Sequence, residues 1–226
     1  IFATILISAL VGASISLAPL GLLLGFWVAF GAIAELVERS RLGRIPLRES
    51  LRRLAGLPRA AWSTAIAHFG VGITVLGIVA TTAWETELVT TLNPGERAEL
   101  SGYTIDLDSF GQVPGPNYIS EEGRFTVTAP DGTTRQMLAD RRTYVASGMP
   151  TTETAIETYG FSQLYLQLGE PLEDTHVVRA WHKPYITLIW LGALLMAFAG
   201  FLSLTDRRLR VGAPRAARKS GLEPAR

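Results

Sequence analysis

The chain contains no cysteine, so no disulfide framework, thiol redox step or thiolate attachment can arise within its 226 residues. Histidine is scarce, with His68, His176 and His182 only. Charge is absent locally: positions 1–34, 61–84 and 185–204 hold no Asp, Glu, Lys or Arg. Runs of that length are solvated by lipid, not water. Yet 18% of the chain is charged and its mean hydropathy is only +0.25, so the molecule is a composite of membrane spans and a water-facing part.

The charges that are present divide by position. Fifteen of the twenty acids lie between Glu85 and Asp174, whereas seven basic residues fall in each of Arg39–Arg59, Arg97–Lys183 and Arg207–Arg226. The middle segment is therefore net negative by eight, fifteen acids against seven bases. An acidic surface repels phosphate, which excludes a nucleic-acid partner for it.

At ~1.5 Å of rise per residue, positions 61–84 and 185–204 each suffice to cross a ~30 Å hydrocarbon core. Positions 1–34 would make one helix of roughly 50 Å, too long for one crossing. Pro19 near its middle marks a turn between the end of one span and a full span from about Leu20 to Val37. Arginines 39, 41, 44, 48, 52, 53 and 59 make the short loop after it cytoplasmic, and the Arg-rich tail with it. As a topology signal that loop needs no further role. The expected order is one partial and one full transmembrane helix (1–37), a cytoplasmic Arg-rich loop (38–60), a span carrying His68 (61–84), an outside β domain (85–184), a last span (185–204) and a cytoplasmic basic tail (205–226). The apolar start at Ile1, without Met or a signal-peptide layout, reads as the C-terminal piece of a larger membrane protein.

The outside segment reads as strands. Tyr103–Asp108 and Arg124–Ala129 alternate, Pro130-Asp-Gly-Thr turns the chain towards Thr134–Leu138, and Leu164-Tyr-Leu-Gln-Leu is ended by Gly169 and Pro171. Gly111–Asn117, dense in glycine and proline, reads as loop alone. The fold class is thus membrane α-helical with a small antiparallel all-β domain, a barrel-like form included, between the last two spans. No acid pair has general acid–base spacing, and His176 and His182, six apart, lack a zinc spacing. Asp106 and Asp108 read as a solvated strand edge. Trp62, Trp84 and Trp181 read as interfacial anchors.

His68 carries the functional weight, because an ionisable side chain within a span is costly and faces a partner or cavity. Helical spacing groups it with Thr64, Gly72 and Val75, near Ala61 and Ala65. Small neighbours admit another helix or a planar cofactor. Axial ligation of haem iron, an interhelical hydrogen bond, a proton relay and a quinone contact all remain open on these residues.

An ordered set of motifs narrows the choice: Ala67-His68-Phe-Gly-Val-Gly-Ile-Thr-Val-Leu-Gly77, Gly115-Pro-Asn-Tyr118, Thr152-Glu-Thr-Ala-Ile156, Leu164-Tyr-Leu-Gln-Leu-Gly-Glu170, Lys183-Pro184, Ile189-Trp-Leu-Gly192, Met196-Ala-Phe-Ala-Gly200 and Asp206-Arg-Arg208. With its spans and outside domain, the chain resembles the C-terminal part of the CcmF family, the haem lyase component of system I cytochrome c maturation. The resemblance implies an inner (cytoplasmic) membrane protein with residues 85–184 in the periplasm. It implies that His68 is one axial ligand of a membrane haem b supporting haem reduction and attachment, with the second ligand from outside this chain. Thioether formation would likewise lie outside it, so no catalytic residue is expected here. Implied partners are the upstream part of the lyase, other maturation membrane subunits, a periplasmic haem chaperone, apocytochrome c and membrane lipid. His182 inherits no ligand role. Two other classes compete: a non-catalytic scaffold or assembly subunit binding partners through the β domain, and a transporter fragment, the latter weakened by spans without charge.

Overall fold

The computed structural model describes residues 16–172 and 175–206. The partial span expected before Pro19 and the basic tail from Arg207 fall outside them. Among the described residues, three helices are long and apolar enough to cross a membrane: α1 (Ala18–Ser40), α3 (Arg59–Trp84) and α4 (Thr187–Leu204). Pro19 sits in the first turn of α1, where its missing N–H costs nothing. Arg41 ends α1 in the left-handed conformation, its N–H donating to the Glu38 carbonyl. A short helix, α2 (Leu47–Ala55), follows Pro46 in the Arg-rich loop.

Among the described residues, nine strands lie in sequence between α3 and α4. They are β1 (Thr86–Leu92), β2 (Arg97–Leu100), β3 (Tyr103–Pro114), β4 (Tyr118–Thr128), β5 (Thr134–Tyr144), β6 (Pro150–Glu153), β7 (Ala155–Tyr159), β8 (Ser162–Leu172) and β9 (Thr175–Lys183). They pair antiparallel into two sheets, ordered β1-β9-β8-β7 and β2-β3-β4-β5-β6. The result is a sandwich, and no described pairing closes it into a barrel. Period-two alternation supplies the core. Ile105, Leu107, Phe125, Val127, Met137 and Ala139 face Leu164, Leu166, Leu168, Val178 and Ala180 of the other sheet.

One expectation is corrected. Gly111–Pro114 is strand, paired with Ser120, Glu121 and Glu122 and ending at Pro114 opposite Ile119, so the loop shrinks to Gly115-Pro116-Asn117. The physical reason is position: β2 pairs with β3 only as far as Asp106, leaving one edge of β3 open beyond it, where a residue lacking an N–H is tolerated. At the tip, the Gly115 N–H donates to the Tyr118 carbonyl at 2.8 Å. A Cβ on Gly115 would lie 2.3 Å from the Tyr118 ring, which accounts for glycine there.

The helices run straight into this domain. β1 starts at Thr86, paired with His182 of β9, and Lys183 forms an ion pair with Glu85 at 3.3 Å. The Phe161 carbonyl, in the turn between β7 and β8, accepts from the Thr187 hydroxyl at 2.9 Å and its N–H at 3.3 Å. That contact satisfies the first turn of α4 from the β domain.

Candidate functional site

α3 is packed on two sides by glycine contacts. Gly72 is turned to α1, where a Cβ would meet Ala29 N and the Gly25 carbonyl at 2.8 Å. Gly70 and Gly77 are turned to α4, where the corresponding contacts are the Gly192 carbonyl and Ile189 N, both at 2.9 Å. Without side chains between them, the backbones approach closely, which is how helices associate in lipid. Ser63 adds a hydrogen bond to the Ala199 carbonyl at 2.8 Å. Asp206, just beyond α4 and 7% exposed, accepts from the Ala60 N–H at 3.0 Å. It thereby satisfies an otherwise unpaired donor at the start of α3 from a residue 146 positions away. Arg59 donates to the Thr205 carbonyl at 3.2 Å in the same corner.

His68 lies on the face of α3 left over. It is exposed, as are Thr64 one turn before it, Val71 at 39% and Ile78 at 48%. Thr64 spends its hydroxyl on the Ala60 carbonyl at 3.0 Å, so it offers His68 no donor. Among the described residues the imidazole has no hydrogen-bond partner. The helical grouping of Thr64, His68, Gly72 and Val75 is thus split. Gly72 lies about 40° round the helix from His68, enough to bury it under α1 while the histidine stays open. Ala61 and Ala65 are buried at 5% and 2%.

The other singled-out residues have local roles. The His176 ring stacks on Phe110 with centroids 3.4 Å apart, and His182 lies 5.3 Å from the Tyr103 ring. Asp106 takes both ends of the Arg97 guanidinium, at 2.6 and 3.2 Å, and Asp108 accepts from the Thr126 hydroxyl at 2.6 Å. Among the described residues no group of three His, Cys, Asp or Glu is placed to hold a metal. Trp84 is 51% exposed at the end of α3, whereas Trp181 belongs to β9 and pairs with Glu87 and Tyr165.

Burial pushes the His182 imidazole below its usual value of 6.5. The unfolded chain then takes up the proton first as pH falls. Stability is complete above 6.5 and declines between 6.5 and the lower folded value. Denaturant titrations of the β domain, followed by tryptophan fluorescence across that window, should show the decline, and His182→Gln should flatten it.

One cluster had no signal in the sequence. Asp140, 6% exposed, accepts from the Ser120 hydroxyl at 2.6 Å and from Arg142 Nε at 2.8 Å. Arg142 also lies 3.6 Å from Glu153 and 4.9 Å from the centre of the Tyr118 ring. The registers of β4 against β5, Ser120 opposite Arg142, and of β5 against β6, Asp140 opposite Glu153, assemble these residues. Through its Oδ2 the buried carboxylate ties the two strands together beside the Gly115–Tyr118 turn.

A sequence model described as the CcmF C-terminal beta-sandwich matches residues 83–184, the nine strands and their two junctions with the helices. The cytochrome c-type biogenesis protein CycK of Rhizobium meliloti is 48% identical over 205 residues, 90% of this chain. The chain matches the C-terminal part of the CcmF family. The cytochrome c-type biogenesis protein CcmF of Pseudomonas aeruginosa is 31% identical over 190 residues, 84% of this chain. A solved structure titled cytochrome c heme lyase CcmF superposes with a TM-score of 0.61 over 84% of this chain and 39% of its own, at 14% identity, which is a likeness of fold. The chain spans 30% of the length of the CycK relative and 28% of the Pseudomonas CcmF. Within the CcmF family, the matched β-sandwich corresponds here to the acidic segment between α3 and α4.

Proposed function

We propose that this chain is the C-terminal portion of a cytochrome c haem lyase and that His68 supplies one axial ligand of a membrane haem b, the second coming from outside the chain. The observation that carries the reading is the exposure of His68 on the one face of α3 covered by neither α1 nor α4. An ionisable residue within a span, left open by the described helices, calls for a partner. The residues present fit a haem edge there: an imidazole without a protein hydrogen bond, flanked by Thr64, Val71 and Val75, none of them charged. When bound, such a haem supplies one-electron chemistry. The chain's own residues hold an imidazole nitrogen at a fixed height on a glycine-locked helix.

In this reading the arginine loop faces the cytoplasm and the sandwich faces the periplasm of a cytoplasmic-membrane protein. Haem attachment occurs in the upstream part of the lyase, alongside other maturation subunits and a periplasmic haem chaperone. The acidic sandwich steers basic apocytochromes c through its net charge of minus eight. A second reading, a non-catalytic scaffold, draws on the glycines: Gly70, Gly72 and Gly77 are all engaged by other helices, so none is reserved for a cofactor.

Reduced-minus-oxidised spectra of the complex assembled with its upstream spans separate the two. His68→Ala should abolish the low-spin bis-imidazole b-type spectrum or make it high-spin. An unchanged spectrum in an assembled variant would sink the ligand assignment and favour the scaffold.

A further inference from the structure

The Arg-rich loop does more than mark topology. α2 presents two different faces. At 100° per residue, Leu47, Leu51, Leu54 and Ala55 share one arc, while Arg48, Glu49, Arg52 and Arg53 share the opposite one. Most of the apolar arc does not pack into the protein: Leu47 is 64% exposed and Leu51 52%, Ala55 is exposed, and only Leu54 is half-buried. What does pack is Ser50, fully buried, with its hydroxyl 3.4 Å from the Arg41 carbonyl at the end of α1. Ser50 lies about a quarter turn from the leucine arc, so the contact with α1 fixes the roll of α2 and leaves Leu47 and Leu51 uncovered.

The arginines are uncovered as well. Arg41, Arg44, Arg48, Arg52 and Arg53 are exposed, and among the described residues none of them has an ion-pair partner; Glu35 pairs instead with Arg39. The chain leaves α1 at Ser40 and enters α3 at Arg59, so α2 is held within a few residues of two membrane-length helices and cannot leave their ends. An exposed leucine stripe and unpaired guanidinium groups, both fixed at that level, match one environment: the boundary between acyl chains and anionic headgroups.

We propose that α2 is an interfacial helix that binds anionic phospholipid, with Leu47, Leu51 and Leu54 among the acyl chains and Arg48, Arg52 and Arg53 on lipid phosphates. Guanidinium groups suit this role because their fixed fork of donors matches phosphate oxygens. Through Ser50 and Arg41 the bound lipid braces the end of α1 against the membrane surface.

The absence of cysteine makes the test direct. Single cysteines replacing residues 47, 48, 51, 52 and 54 in turn carry nitroxide labels, as does a control at Leu194 within α4. Each variant is reconstituted into discs of phosphatidylcholine, alone or with an equal part of phosphatidylglycerol. In the mixed discs, labels at 47, 51 and 54 should collide with oxygen several-fold more often than with a water-soluble nickel chelate, and labels at 48 and 52 should show the reverse. A label at Leu194 shielded from nickel establishes that the spans are inserted, so a failure at α2 is distinguishable from a failure of the membrane reading. Each arginine near an anionic surface is worth about a fivefold change in partition. Enrichment of fluorescent phosphatidylglycerol around the protein should therefore fall sharply in the combined variant R48Q/R52Q/R53Q. Equal nickel access at 51 and 48 would overturn the proposal, as would shielding that appears only when another protein is added. Unchanged lipid enrichment in the triple variant would overturn the anionic recognition.

Discussion

Gly192→Val should drive α4 off α3 and unfold the helical part of the molecule. A Cβ at position 192 would lie 2.1 Å from the Thr74 hydroxyl oxygen, 2.5 Å from the Gly70 carbonyl and 2.8 Å from Thr74 N. Two of those three atoms are backbone in the middle of a 26-residue helix, so they cannot turn aside as a side chain end would. Overpacking typically costs about 1–3 kcal/mol, and a clash against rigid backbone belongs at or beyond the upper end. The Ser63 to Ala199 and Ala60 to Asp206 hydrogen bonds are further along the same crossing and would be lost with it. Gly200→Ala is the matched control, because nothing lies within 4 Å of its Cβ position. Thermal unfolding in detergent should show a large fall for the first variant and none for the second. Equal melting temperatures would show that the α3–α4 crossing does not hold the fold.

Phe125→Ala should cost the sandwich about 3–5 kcal/mol, a large share of what a domain of this size possesses. Phe125 is completely buried between the sheets, and it sits beside Gly123, whose Cβ position would meet both Phe125 and Leu168 at 3.0–3.1 Å. The neighbours most able to fill the space, Leu107, Val127 and Leu168, are themselves buried on paired strands, so collapse is limited. Denaturant titration of the full chain should show the transition of the β domain shifted to much lower midpoint. A shift under 1 kcal/mol would mean that the core repacks, and would place the stability elsewhere.

The long apolar helices were legible because a charge-free run of that length leaves little room for another element: three such runs overlap α1, α3 and α4. Strands with strict alternation were equally plain, since Leu164, Leu166 and Leu168 point into one core and Tyr165 and Gln167 do not. Gly111–Pro114 was misread because pairing with β4, a property of two segments, outweighs the local preference of glycine and proline. The first half of β4 was hidden for the same reason: Ser120 and Gly123 are buried by register and not by hydrophobicity. Two sheets instead of one could not be read from alternation at all. At the candidate site, the sequence singled out His68 and grouped it with Gly72, but which neighbour each residue faces depends on where α1 and α4 cross α3.

The junctions between helices and sandwich contain no linker: Trp84 ends α3, Thr86 begins β1, and β9 ends at Lys183, four residues before α4. The domain is therefore a fixed post and not an arm on a leash. It sweeps out no volume, gains no reach from chain flexibility, and cannot raise the local concentration of a partner by searching for it. Its height and its orientation over the ends of α3 and α4 are set by the fold itself.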